Sequence, residues 1–117
     1  MDYIKYFQND KYQKGINDCW TLVQDIFLDE KNIKLPDCPI MIDYSPFESY
    51  LKSNFKYQIL EKAKEGCLIH FRSGKIEHIG YALNEKQYIH KTFSRVEVSE
   101  IPKQAKIYEV LSDTYNS

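Results

Sequence analysis

The sequence predicts an α+β fold in which N-terminal helices pack on an antiparallel β-sheet of about five strands. Three observations lead there. Apolar residues recur at helical spacing through residues 18–30. Ser45-Pro46-Phe47-Glu48 is a capping box with proline at the first helical position, and it opens a second helical stripe. After Lys56 the chain turns to short runs of strand-forming residues divided by turn residues. A chain of 117 residues that places helices first and strands after fits a single domain, spanning 1–117.

The elements follow in order. Residues 2–8 suit a short helix with Tyr3, Ile4 and Phe7 on one side. In 18–30, Cys19, Leu22, Val23, Ile26 and Phe27 fall at i, i+3, i+4, i+7 and i+8, which is one helix face. Asn17 or Asp18 is the expected N-cap. Residues 31–44 hold Pro36 and Pro39 without a clear period and read as loop. Phe47, Tyr50, Leu51 and Phe55 supply the apolar face of the second helix. Strands are expected at 67–72, 76–83, 87–92, 95–100 and 105–110, punctuated by Ser73-Gly74, Asn84-Glu85-Lys86 and Pro102-Lys103.

Composition narrows the function classes. Hydrophobic residues make up 43%, enough for a real core, and aromatics 15%, ten of them tyrosine. A tyrosine offers contact area with a polar tip, so it suits either a half-exposed strand or the wall of a groove. The formal net charge of −1 argues against a nucleic-acid footprint, which needs a basic face. No apolar run approaches the ~20 residues of a membrane span. Met1-Asp2-Tyr3-Ile4-Lys5 lacks the basic-then-apolar pattern of a signal peptide, so synthesis in the cytoplasm is expected. Three cysteines, an odd number with no CxxC, argue against a disulfide framework or a zinc ribbon. No HExxH and no Gly-rich loop occur, and no metal or cofactor is expected.

The chemistry centres on Cys19. A cysteine at a helix N-terminus meets unpaired backbone N–H groups and the positive end of the helix dipole, both of which lower a thiol pKa from ~8.5. Asp18 opposes this unless its oxygens are spent on capping. The bland alternative is a small apolar residue on a buried stripe. Cys38 and Cys67 carry no activating context. Of the histidines, His78 shares a strand face with Ile76, Gly80 and Ala82, a small-sided face against which the helix carrying Cys19 would fit. With Asn84-Glu85-Lys86 as a three-residue loop, Leu83 opposes Gln87 and Gly80 opposes His90, which makes His78 and His90 diagonal neighbours on one face. A two-residue loop would separate them. This arrangement permits Cys19 as nucleophile, His78 as base and His90 as the group that orients it. His70 reads as a half-exposed strand histidine without such a partner.

These residues resemble a known family. Tyr12-x-x-Gly15-x-x-Asp18-Cys19-Trp20-x-Leu22-Val23 resembles the nucleophile region of the NlpC/P60 cysteine peptidases. Glu65-Gly66-Cys67-Leu68-Ile69-His70-Phe71 is similar to their GDLVFF strand, Glu77-His78-Ile79-Gly80-Tyr81-Ala82-Leu83 to their HVGIYLG strand, and Tyr88-Ile89-His90 to their MIHA segment. Order and spacing agree over roughly residues 12–100. The stretch from Asp18 through Pro36 most resembles versions encoded in phage tail-tip gene clusters.

The resemblance implies a compact papain-like fold, a triad of Cys19, His78 and His90, and hydrolysis of peptide bonds in peptidoglycan stem peptides. It implies that Tyr12 helps the oxyanion site and that phage tail proteins are possible partners, with a virion-associated location. Trp20-Thr21 stands where Ser-Gly is common, so Trp20 either crowds the groove or packs in the core. Cys67 replaces the usual Asp. Without a wall-binding module or export signal in these residues, targeting is expected to come from a partner. Two other readings stay open: an amidase or acyltransferase of the same fold acting on a non-wall substrate, and a non-catalytic tail assembly module.

Overall fold

The structure, a computed structural model, describes residues 3–8, 18–37, 51, 55–73, 76–92 and 95–111. The chain opens with a 3-10 turn, Ile4–Gln8, where a short helix was expected. Helix α1 follows at Cys19–Lys31, then strands β1 (Tyr57–Leu60), β2 (Leu68–Ser73), β3 (Ile76–Ala82), β4 (Gln87–Lys91), β5 (Val96–Glu100) and β6 (Lys106–Val110). Of the expected second helix only Leu51, helical and buried, and buried Phe55 belong to the described residues.

The six strands form one sheet in the order β1-β6-β2-β3-β4-β5, and every neighbouring pair is antiparallel. The sequence reading expected five strands. The sixth is β1, a four-residue edge strand whose middle residues Gln58 and Ile59 are exposed. It has no apolar face to announce it and is held by pairing with β6, Tyr57 opposite Val110 and Leu60 opposite Ile107.

The helix stripe behaves as its spacing requires. Cys19, Leu22, Val23, Ile26 and Phe27 are all buried, the last three completely. Leu22, Val23, Ile26 and Phe27 pack on one face of the sheet, against Leu68, Ile79, Tyr81, Ile89 and Tyr108. The Phe27 ring meets that of Tyr81 edge-on, with centroids 5.6 Å apart. Full burial of a Val, Ile or Phe side chain contributes roughly 1.5–3 kcal/mol, so this face dominates the stability of α1. The helix stops at Asn32, which takes the left-handed conformation (φ 55°) and donates its N–H to Leu28 O, while Ile33 N–H donates to Phe27 O.

The opposite sheet face carries a second cluster of Ala63, Cys67, Ile69, Ala82, Tyr88 and Ile107. Pairing of Gly80 with His90 and Ala82 with Tyr88 puts His78 and His90 on this side. The expectation that α1 lies on the His78 face is therefore corrected: the helix covers the Ile79 and Tyr81 face. The space left by Gly80 is filled by Tyr88. A Cβ on Gly80 would lie 2.3 Å from Tyr88 Cδ2 and 2.9 Å from the Ile89 carbonyl oxygen.

Candidate active site

Cys19 is the first residue of α1, and the chain before it is shaped by Asp18. Asp18 takes an extended conformation, and its Oδ1 accepts the N–H groups of Trp20 at 3.1 Å and Thr21 at 3.0 Å. Thr21 Oγ1 reciprocates by accepting the Asp18 N–H at 2.7 Å, which completes a capping box. The carboxylate is thus occupied by the helix start, as its N-cap position leads one to expect.

The thiol does not become acidic. Burial is the largest influence on Cys19 and pushes its pKa up to about 12, and the charge of Asp18 adds in the same direction. Backbone hydrogen bonding from Ile79, and from Cys19 and Trp20 at the helix start, acts the other way and is outweighed. The expected lowering by the helix terminus is corrected on this ground: a side chain 9% exposed loses more from leaving water than it gains from the first-turn amides. The Ile79 contact places the sulfur beside β3, against the residue that follows His78.

The hairpin brings the two histidines together. Leu83 N–H donates to Gln87 O at 2.9 Å, and Asn84 Oδ1 accepts the N–H groups of Lys86 and Gln87. This three-residue loop sets Gly80 opposite His90, the register that its length requires. His78 Nε2 and His90 Nδ1 then lie 2.7 Å apart, with the rings edge-to-face at 84°. Burial holds the His78 pKa down at about 4, and the neighbouring His90 contributes in the same direction. His90 is also lowered by burial, while Glu97 works against that shift. Both rings are neutral near pH 7.

Aromatic neighbours fix the two imidazoles. Phe71 meets His78 edge-on at 5.2 Å, and Tyr88 stacks on His90 at 4.3 Å with 13° between the planes. Beyond His90 lies β5, where His90 pairs with Glu97 and Tyr88 with Ser99. His90 Nε2 is 2.9 Å from Ser99 Oγ and 3.9 Å from Glu97 Oε1. Phe71, Glu97 and Ser99 were not singled out from sequence. The alternation of Val96-Glu97-Val98-Ser99 sets Glu97 and Ser99 on one strand face, but only the β4–β5 register shows that His90 shares it.

The remaining candidates are placed as follows. Trp20 is buried in the core, and its indole N–H donates to the Pro36 carbonyl at 2.9 Å. Of the two fates open to it, the side chain takes the packing one. Tyr12 and Cys38 lie outside the described residues. Cys67 is a free, buried cysteine whose thiol pKa is raised by burial. His70 corrects the sequence reading: it is buried rather than half-exposed, and its Nε2 is paired with the buried carboxylate of Glu77. The two meet diagonally across β2 and β3, on the side that also carries Ile79.

The structure brings His78 and His90 into contact on the sheet face opposite α1 and sets the Cys19 thiol against the Ile79 backbone. Among the described residues no helix is long and apolar enough to cross a membrane. A search of curated proteins found no match. The model of the NlpC/P60 family matches residues 6–114, nearly the whole chain. Members of that family are generally cell-wall cysteine peptidases, and the chain belongs to the NlpC/P60 family.

Proposed function

We propose that the protein is a cysteine peptidase that hydrolyses peptide bonds in peptidoglycan stem peptides. Cys19 is the nucleophile, His78 the general base and His90 the residue that orients it. The observation that carries this reading is the His78 Nε2 to His90 Nδ1 contact of 2.7 Å, on the strand whose next residue, Ile79, touches the thiol through its backbone. With Nε2 engaged by His90, Nδ1 is the His78 nitrogen left for the thiol proton.

The reaction runs from a neutral resting pair. A thiol held near 12 and an imidazole held near 4 do not exchange a proton at rest. Transfer from sulfur to His78 therefore accompanies attack on the scissile carbonyl carbon, where the C–S bond forms and the carbonyl oxygen gains the negative charge. Asp18 takes the N–H groups of Trp20 and Thr21, and the Cys19 N–H, which faces the sulfur at rest, turns to that oxygen as the C–S bond forms. The imidazolium returns its proton to the leaving amine, and water then cleaves the thioester by the same base. Tyr12 assists at the oxyanion site.

The likeness of Asp18 through Pro36 to phage tail-tip versions supports delivery by a phage tail or prophage assembly, with tail proteins as partners. The test is incubation with purified muropeptides, with products followed by mass. Cleavage of a stem-peptide bond that is lost in Cys19→Ala supports the reading. Equal product in Cys19→Ala, or none from the wild-type protein, overturns it.

A further inference from the structure

We infer that Glu97 and Ser99, on β5, are positioning residues that set which nitrogen of His78 carries the lone pair. The inference rests on the roles proposed above for His78 and His90.

The argument follows the protons. In a neutral imidazole one nitrogen donates and the other accepts. The His78 Nε2 to His90 Nδ1 contact of 2.7 Å has two neutral forms. In one, His78 Nε2 donates and His90 Nδ1 accepts, so the His78 lone pair sits on Nδ1, away from His90. In the other, His90 Nδ1 donates, the His78 lone pair is spent on Nε2, and Nδ1 carries a proton. Only the first form holds a base for a thiol.

The choice is made on the far side of His90. Its Nε2 faces Ser99 Oγ at 2.9 Å and Glu97 Oε1 at 3.9 Å. A hydroxyl can donate or accept, so Ser99 alone does not select a form. A carboxylate only accepts, and it favours a proton on the nitrogen facing it. Glu97 is itself held, because Arg95 Nε donates to its Oε2 at 3.1 Å and leaves Oε1 on the His90 side. The proton on His90 therefore sits at Nε2, donating to Ser99 Oγ in the field of Glu97. His90 Nδ1 then accepts from His78 Nε2, and the His78 lone pair falls on Nδ1. The stack of Tyr88 on His90 keeps that ring from turning out of the chain of contacts.

The experiment reads the rings directly. Long-range proton–nitrogen correlation spectra of the 15N-labelled protein near neutral pH identify the protonated nitrogen of each histidine. The wild type is expected to show Nε2–H on both His78 and His90. Glu97→Gln and Ser99→Ala are expected to populate the Nδ1–H form of His78. Turnover of purified muropeptides follows the fraction of molecules in the competent form, so kcat falls about 2–10-fold at unchanged KM. Ser99→Thr, which keeps a hydroxyl on a β-branched strand residue, recovers both the spectrum and kcat relative to Ser99→Ala. A wild-type His78 protonated at Nδ1, or tautomers unmoved in both Glu97→Gln and Ser99→Ala, overturns the inference. The spectra need no substrate, so absent muropeptide cleavage would sink the peptidase reading and leave the tautomer result standing on its own.

Discussion

Gly80→Ala isolates the packing that holds the histidine pair. An added Cβ would stand 2.3 Å from Tyr88 Cδ2, 2.8 Å from Tyr88 Cε2 and 2.9 Å from the Ile89 carbonyl oxygen. Contacts under 3 Å are too close to persist, and the ring atoms belong to a side chain only 2% exposed. Tyr88 must therefore shift, and it carries His90, on which it stacks at 4.3 Å. Overpacking a tight site costs about 1–3 kcal/mol. At a urea m-value of roughly 1–3 kcal/mol/M, the unfolding midpoint falls by about 1 M. Muropeptide turnover should fall further than stability does, because displacing His90 breaks its contact with His78 even in the folded molecule. The two effects separate in a double mutant. In a Tyr88→Leu background Gly80→Ala should cost less, with a residual penalty from the backbone oxygen that no side-chain change removes. A Gly80→Ala protein with an unchanged urea midpoint and full turnover would refute this account of the strand crossing.

Three further outcomes are expected. Iodoacetamide at pH 6 should modify Cys19 more slowly than a small-molecule thiol, because the group is buried with its pKa near 12, and the rate should climb through the alkaline range; rapid labelling at pH 6 would show an acidic thiol after all. His78 has a folded pKa of about 4 against 6.5 in a free chain. The unfolded state therefore binds the proton first, so stability is full above about pH 6.5 and is lost as pH falls from there toward 4; urea midpoints flat across that window would contradict the assignment. Replacing His70 by Ala strands a buried Glu77 carboxylate, a loss of at least about 1–3 kcal/mol visible in the same assay, whereas a silent His70→Ala would mean that the pair carries no stability.

What the sequence could tell depended on how local each signal was. The stripe of α1 repeats every three to four residues, and all five of its expected members are buried. The His78–His90 register follows from a loop of three residues, so strand parity alone placed the rings on one face. Strand β1 escaped because four residues with an exposed middle carry no periodicity, and its partner β6 is the last strand, separated from it in the sequence by four others. The His70–Glu77 contact needs the β2–β3 register, which alternation within either strand does not supply. The acidity expected of Cys19 failed for a related reason. A helix start is legible in the sequence, while the burial that outweighs it arises only when α1 docks on the sheet.

The carboxylate that caps α1 has a consequence for the lifetime of the protein. Asparagine caps a helix about as well as aspartate and carries no charge. With Asp18 in place, charge and burial together keep the Cys19 sulfur protonated at rest. Oxidation toward sulfenic and then sulfinic acid follows thiolate character and exposure, and Cys19 is low in both. The burial that raises the thiol pKa also limits its contact with solvent oxidants, so peroxide is expected to oxidise Cys19 more slowly than an exposed thiol.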